Sequence, residues 1–67
     1  MKVEIKGEYM QLQQLLKITD WINSGGEAKI AVRTLKIKVN GIPENRRGRK
    51  LYPGDVVEIE KRRYELG

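Results

Sequence analysis

Apolar and polar residues at the start of the chain follow a pattern that predicts a strand and then a helix. Val3 and Ile5 alternate with charged residues over residues 2–6, which is the period-two pattern of a half-buried strand. The leucines within residues 12–17 have helical spacing and predict a short first helix. Residues 18–22 repeat that spacing in a shifted phase, which indicates one further helical turn.

The segment Ser24-Gly25-Gly26-Glu27 predicts where a second helix begins. Ser and Glu three residues apart form a capping box, in which each side chain bonds a backbone N–H of the first helical turn. We expect Ser24 to contribute about 1 kcal/mol as a cap and the helix to run to about Leu35. Gly25 and Gly26 are expected to serve the backbone geometry there, with phosphate binding at the helix N-terminus as a second role. The predicted apolar stripe of this helix consists of Ala28, Ala31, Val32 and Leu35.

The C-terminal half of the chain contains residues that predict turns between its strands. Residues 36–40 alternate and predict a strand, and Asn40-Gly41 follows as a strong turn signal because both residues tolerate positive φ. Pro43 is expected to prevent an immediate regular return strand. The segment Tyr52-Pro53-Gly54-Asp55 has the residues of a type II turn.

Two further strands complete the predicted fold. Residues 56–60 place Val57 and Ile59 on one face, and residues 64–66 are expected to pair at the edge of the sheet. The fold class is therefore α+β, with two short helices packed on a small, mainly antiparallel sheet. A chain of 67 residues leaves room for one domain, which we expect to span residues 1–67.

Composition removes several classes of function. The chain has no cysteine and no histidine, which excludes disulfides, thiolate metal sites and the commonest general base. We therefore expect no enzyme activity, no metal and no cofactor. The chain also lacks an apolar run of about 20 residues, the length that spans a bilayer, and the hydrophobic region of a signal peptide. A cytoplasmic protein without a membrane partner is expected.

Positive charge is concentrated in the middle of the chain. The net charge is +5, and Arg46-Arg47-Gly48-Arg49-Lys50 places four cations in five residues. Glu44 is the only acid between Ala28 and Leu51. Arginine offers a planar set of donors that suits phosphate, and basic residues gathered on one half of a small domain are typical of nucleic-acid binding. A second set of cations shares one face of the predicted second helix: Lys29, Arg33 and Lys36.

The ordered combination of these segments resembles a known family. The resemblance rests on Leu12-x-x-Leu15-Leu16-Lys17, Ser24-x-x-x-Ala28-Lys29, Val39-Asn40-Gly41 and Pro53-Gly54-Asp55-Val56-Val57. In order and spacing they are similar to the RNA-binding domain first recognised in small-subunit ribosomal protein S4, called the αL motif, over about residues 12–60. Residues 24–29 and 45–51 look like those of the stand-alone bacterial subgroup called YaaA-like proteins.

That resemblance implies a non-catalytic protein that binds structured RNA, ribosomal RNA or tRNA, in ribosome assembly or translation. Its partner would be the RNA itself, within a ribosomal subunit or an assembly precursor, and the protein is expected to be a monomer. Phosphate neutralisation with counterion release would be the mechanism, and about five contacts would give a log–log salt slope of about −3.5 to −4.5. The predicted RNA-binding residues are Ser24, Gly25, Gly26, Lys29, Arg33, Lys36, Asn40, Arg46, Arg47, Arg49, Lys50 and Tyr52.

Two other functions fit the same residues. A protein-interaction module would dock its basic segment on an acidic partner, and a non-specific DNA-binding protein would have equal affinity for duplex DNA and folded RNA. The role of Tyr52 stays open between a stacking side chain and a plain surface residue, whereas Trp21 is expected in the core. The cations at residues 61–63 lie beside acids and are expected at a solvated sheet edge.

Overall fold

Two helices and seven short strands make up the computed structural model, which describes all residues from 1 to 67. The helices are α1 (Leu12–Ile18) and α2 (Gly25–Thr34). The strands are β1 (Lys2–Val3), β2 (Met10–Gln11), β3 (Ile37–Val39), β4 (Ile42–Pro43), β5 (Lys50–Leu51), β6 (Val56–Ile59) and β7 (Arg62–Leu66). Neither helix has the length and apolar character that a membrane crossing requires.

Five of the strands form one sheet, in the order β1-β7-β6-β3-β4, and β2 and β5 form a separate two-stranded ribbon. Only the pairing of β1 with β7 is parallel. The expected α+β fold, with two short helices and a mainly antiparallel sheet, is confirmed.

A single apolar core joins the helices to the sheet. The spacing of the leucines in α1 places three of them inward, and α2 contributes two alanines and a valine from its predicted stripe. Each fully buried leucine stabilises the fold by about 1.5–3 kcal/mol relative to an exposed one. The largest fully buried side chains are Leu12, Leu15, Leu16, Val39, Leu51, Val57 and Ile59.

The turn between β3 and β4 forms where the sequence predicts it. Asn40 and Gly41 have φ angles of 52° and 82°, the left-handed pair that a two-residue hairpin requires. The prediction that Pro43 prevents a return strand is wrong, because β4 contains Pro43 and pairs with β3. As the outermost strand of the sheet, β4 tolerates a residue without a backbone N–H.

The end of α1 differs from the expected further turn. Asp20 has a φ of 65°, which ends the helix, and the N–H groups of Asp20 and Trp21 bond the carbonyls of Lys17 and Leu16 at 3.2 and 3.0 Å. This is the hydrogen-bond pattern of a Schellman motif. Trp21 then packs against the core as expected and donates from Nε1 to the hydroxyl of buried Tyr64 at 3.0 Å.

The terminal strands also differ from the prediction. The expected strand over residues 2–6 is confined to β1, although Ile5 is buried and its N–H donates to the carbonyl of Gly67 at 2.7 Å. β7 lies inside the sheet rather than at its edge, because β1 pairs with it on the side away from β6.

The predicted capping box at the start of α2 is not formed. Ser24 occupies the N-cap position with an extended backbone, but its hydroxyl makes no capping hydrogen bond. The carboxylate of Glu27 instead accepts from the N–H of Asn23 at 3.0 Å, one residue earlier than a capping box requires. Gly25 and Gly26 have no positive φ, and a Cβ at either would meet no close contact. The backbone geometry therefore does not require glycine at these positions.

Candidate nucleic-acid interface

Residues 44–50, which we call the basic loop, are anchored at both ends. The N–H of Glu44 donates to the carbonyl of Ile37 at 2.9 Å, which extends the pairing of β3 and β4 by one bond. At the other end Lys50 belongs to β5 and pairs with Gln11 of β2. The loop therefore spans the gap between the five-stranded sheet and the two-stranded ribbon.

The backbone of the basic loop also closes the N-terminus of α1. The first N–H groups of a helix have no partner within the helix, and no side chain caps α1. The N–H groups of Leu12 and Gln13 donate instead to the carbonyls of Arg49 and Arg47, each at 2.9 Å. Helix and loop thereby hold each other in place.

Glu44 is a buried acid that organises the cations around it. Its side chain is 6% exposed, and its Oε2 accepts from Nε of Arg46 at 2.9 Å and from the backbone N–H of Arg46 at 3.1 Å. Its Oε1 accepts from Nη1 of Arg49 at 2.8 Å and from Nη2 of Arg46 at 3.2 Å. These hydrogen bonds, those of Arg46 first, hold the pKa of Glu44 at about 2, below its ordinary 4.5. The same contact raises the pKa of Arg46.

The four loop cations therefore divide into two pairs. Arg46 and Arg49 form salt bridges with Glu44, yet their side chains remain 71% and 36% exposed. Arg47 and Lys50 are exposed and form no salt bridge. The sequence alone does not distinguish the two pairs, because charge pattern does not show which cation reaches a buried acid.

A shallow groove of about 450 Å³ runs along the basic loop. Its lining residues are Arg46, Gly48, Arg49, Lys50 and Tyr52. The turn that carries Tyr52 is confirmed as predicted: Gly54 has a φ of 98°, and the N–H of Asp55 donates to the carbonyl of Tyr52 at 3.0 Å. Four predicted site residues thus meet in one open, positively charged groove.

Tyr9 is a residue of this surface that the sequence analysis missed. Lys50 places its Nζ 4.9 Å from the centre of the Tyr9 ring, within cation–π range. The Tyr9 and Tyr52 rings are 6.2 Å apart between centroids. Tyr9 reaches this surface only through the pairing of β2 with β5. Strands of two residues are too short to show alternation of apolar and polar residues, so the sequence pattern does not predict this pairing.

Asn40 acts within the protein rather than as a free surface amide. Its Nδ2 donates to Oδ1 of Asp55 at 3.0 Å, and its Oδ1 accepts from the N–H of Val56 at 2.9 Å. The other carboxylate oxygen of Asp55 accepts from the N–H of Tyr52 at 2.8 Å. Asn40 therefore ties the β3–β4 turn to the turn that presents Tyr52.

Comparison with known proteins now identifies the family. Residues 3–66 match the sequence model of one family, described as the S4 domain. This chain belongs to the S4 domain family.

It is 53% identical over 58 residues, 87% of its length and 82% of the relative's, to the Bacillus subtilis protein named "Probable ribosome maturation protein RlbA". It is 38% identical over 54 residues, 81% of its length and 77% of the relative's, to the Escherichia coli protein named "Putative RNA-binding protein YbcJ". The predicted family resemblance is confirmed.

In this S4 domain the predicted contact residues do not all lie together. Lys36, just beyond α2, lines a second groove of about 300 Å³ that it shares with Glu44 and Asn45 at the start of the basic loop. Lys29 and Arg33 are exposed on α2 but line neither groove. Residues 24–26 lie at the opposite end of α2, about 15 Å along its axis from its C-terminal end.

Proposed function

We propose that this S4 domain protein is a non-catalytic RNA-binding protein that holds the phosphate backbone of structured RNA with its basic loop. The observation that carries the proposal is the open groove in which Arg46, Arg49 and Lys50 converge. We further propose that the RNA is ribosomal and that binding serves ribosome maturation, which the name of the Bacillus subtilis relative supports. The whole chain would act as one binding unit and as a monomer.

Preorganisation of the loop supports this role. Ordering a long side chain on binding costs about 0.5–1.5 kcal/mol, and the contacts of Arg46 and Arg49 with Glu44 meet part of that cost in the free protein. Each guanidinium has more N–H donors than its contacts with Glu44 use, so donors remain for a phosphate oxygen. Arg47 and Lys50 form no salt bridge within the protein, so their full positive charge would be available to the RNA phosphates.

Helix α2 would extend the contact away from the loop. Lys36 borders the basic loop, and Lys29 and Arg33 lie four residues apart on the exposed surface of α2. We propose that these cations follow the RNA backbone along the helix. The exposed helix start at residues 24–26 would make a further phosphate contact through backbone N–H groups.

A salt titration of RNA affinity tests the proposal. Fluorescence anisotropy with a ribosomal RNA hairpin compares the parent with Arg47→Ala/Lys50→Ala, which removes two cations that form no salt bridge. Loss of two phosphate contacts should weaken binding and reduce the magnitude of the log–log salt slope by about 1.4–1.8. Arg46 and Arg49 are left in place because removing either takes one of its two ion-pair partners from the buried carboxylate of Glu44.

The matched control is Lys2→Ala/Arg63→Ala, which removes the same charge from β1 and β7, on the side of the sheet away from β4. Arg63 has only a 3.9 Å contact with Glu65, and both side chains are exposed. The log–log salt slope of RNA binding by the control should be nearly the same as that of the parent. Equal losses in the two variants would indicate general charge attraction, and equal affinity for a DNA duplex of the same length would favour DNA binding. Absence of nucleic-acid binding would favour the acidic-protein partner.

A further inference from the structure

Two of the four aromatic residues of the chain have no role in its core. Tyr64 is buried in the core, and the partly buried Trp21 packs against the core and donates to the Tyr64 hydroxyl. Tyr9 and Tyr52 are instead 40% and 48% exposed. Burial accounts only in part for their position, because close to half of each side chain stays in contact with water.

The register of the two-stranded ribbon explains why these two rings meet. Met10 of β2 pairs with Leu51 of β5, and both are buried. One step further out, Tyr9 lies opposite Tyr52, and alternation along a strand turns their side chains to the outer face. Lys50 lies two residues before Tyr52 on the same face, which places its ammonium 4.9 Å from the centre of the Tyr9 ring.

Tyr52 is the ring of this pair that adjoins the cations. It lines the groove of the basic loop together with Arg46, Arg49 and Lys50, whereas Tyr9 does not. The backbone of Tyr52 is fixed by two hydrogen bonds with Asp55, at 2.8 and 3.0 Å. The 51° tilt between the tyrosine rings excludes parallel stacking of one on the other. An exposed aromatic ring on a hydrogen-bonded backbone thus lies beside an open, positively charged groove.

We propose that Tyr52 is a stacking platform for one unpaired nucleobase of the RNA, with Tyr9 and Lys50 as positioning residues. The inference rests on the proposed function and specifies its ligand: a duplex interrupted by a bulged or looped-out nucleotide. The base would stack on the Tyr52 ring while its flanking phosphates enter the groove. Bases inside a continuous duplex are already stacked and cannot reach the ring.

Two RNA hairpins test the proposal, each closed by a non-nucleotide linker so that the loop offers no base. They have equal numbers of phosphates, and one stem contains a single unpaired nucleotide whereas the other is fully paired. The unpaired position carries a fluorescent adenine analogue whose emission reports stacking. The parent should bind the interrupted hairpin on the order of 10-fold more tightly, the range of one base–aromatic stack. Tyr52→Leu should abolish this preference and the emission change, and Tyr52→Phe should keep both. Neither substitution should change the salt slope, because no phosphate contact is lost.

Tyr9→Leu should reduce the preference for the interrupted hairpin over the paired one without abolishing it. The Tyr52 ring loses a neighbour in this variant but remains in place. Equal affinity of the parent for the two hairpins would overturn the platform while leaving RNA binding intact, and this comparison needs no variant to fold. A preference that survives Tyr52→Leu would overturn it as well. Failure to bind either hairpin would overturn the proposed function itself.

Discussion

Glu44 is a buried carboxylate within the most basic segment of the chain. A buried charge is tolerated only where partners compensate for its lost hydration. Arg46 and Arg49 supply that compensation, so part of the positive charge of the loop is used to hold the loop in shape. The groove beside it is therefore shaped by contacts within the protein itself.

The acid stability of the protein should depend on Glu44. Its pKa is about 2 in the folded protein and near 4.5 when unfolded, so its contribution is complete above about pH 4.5 and is lost as the pH falls toward 2. The full shift corresponds to about 3 kcal/mol, and solvent around Arg46 reduces the expected contribution to about 1–2 kcal/mol. Urea unfolding across this pH range measures it.

Glu44→Gln is the matched variant for that experiment. It keeps the shape of the side chain but cannot titrate, so its free energy of unfolding should fall less steeply between pH 4.5 and 2 than that of the parent. At neutral pH the variant should already be the less stable of the two. Identical pH profiles would mean that the ion pairs with Arg46 and Arg49 do not persist in solution.

At the scale of single elements, the start of α2 is held by only one of the two side chains that the sequence predicts, Glu27. Ser24→Ala should change the free energy of unfolding by less than about 0.5 kcal/mol, because the Ser24 hydroxyl makes no capping bond. Glu27→Ala should cost about 0.5–1 kcal/mol, since it removes the bond to Asn23 and an acid from the first turn. Urea denaturation of both variants measures whether Glu27→Ala lowers the free energy of unfolding more than Ser24→Ala does.

A cost of about 1 kcal/mol or more for Ser24→Ala would mean that the hydroxyl caps the helix in solution. The serine and glutamate spacing is informative about the helix start itself, which lies at Gly25 as expected. Which side chain satisfies which N–H depends on the path of residues 20–23, and that path follows from the left-handed Asp20 that ends α1.

Local signals were sufficient for the elements that depend on neighbouring residues. Both helices and the turns at Asn40-Gly41 and Pro53-Gly54 lie where periodicity and turn chemistry place them. The pairing of β2 with β5 joins residues some 40 positions apart through two-residue strands, which carry no periodic signal. The interior place of β7 likewise depends on β1, at the other end of the chain.

At the scale of the whole molecule, composition predicts the class of ligand better than it predicts the arrangement of the site. The excess of cations is visible in the sequence, but the division of the loop cations by Glu44 and the addition of Tyr9 depend on tertiary contacts. The longest dimension is 26 Å, which corresponds to about eight phosphates of one duplex strand at the roughly 3.4 Å axial spacing of B-DNA. About five phosphate contacts fit within that length. They would give a log–log salt slope of about −3.5 to −4.5.

The most direct test of the binding surface is a map of backbone amide chemical shifts by NMR during titration with a ribosomal RNA hairpin. The largest changes should occur at residues 46–52, with a second set along residues 29–36. Amides of β1 and β7 should change little, because these two strands lie on the side of the sheet away from β4 and the basic loop. Changes concentrated on β1 and β7, with the basic loop unaffected, would contradict the proposed RNA-binding surface.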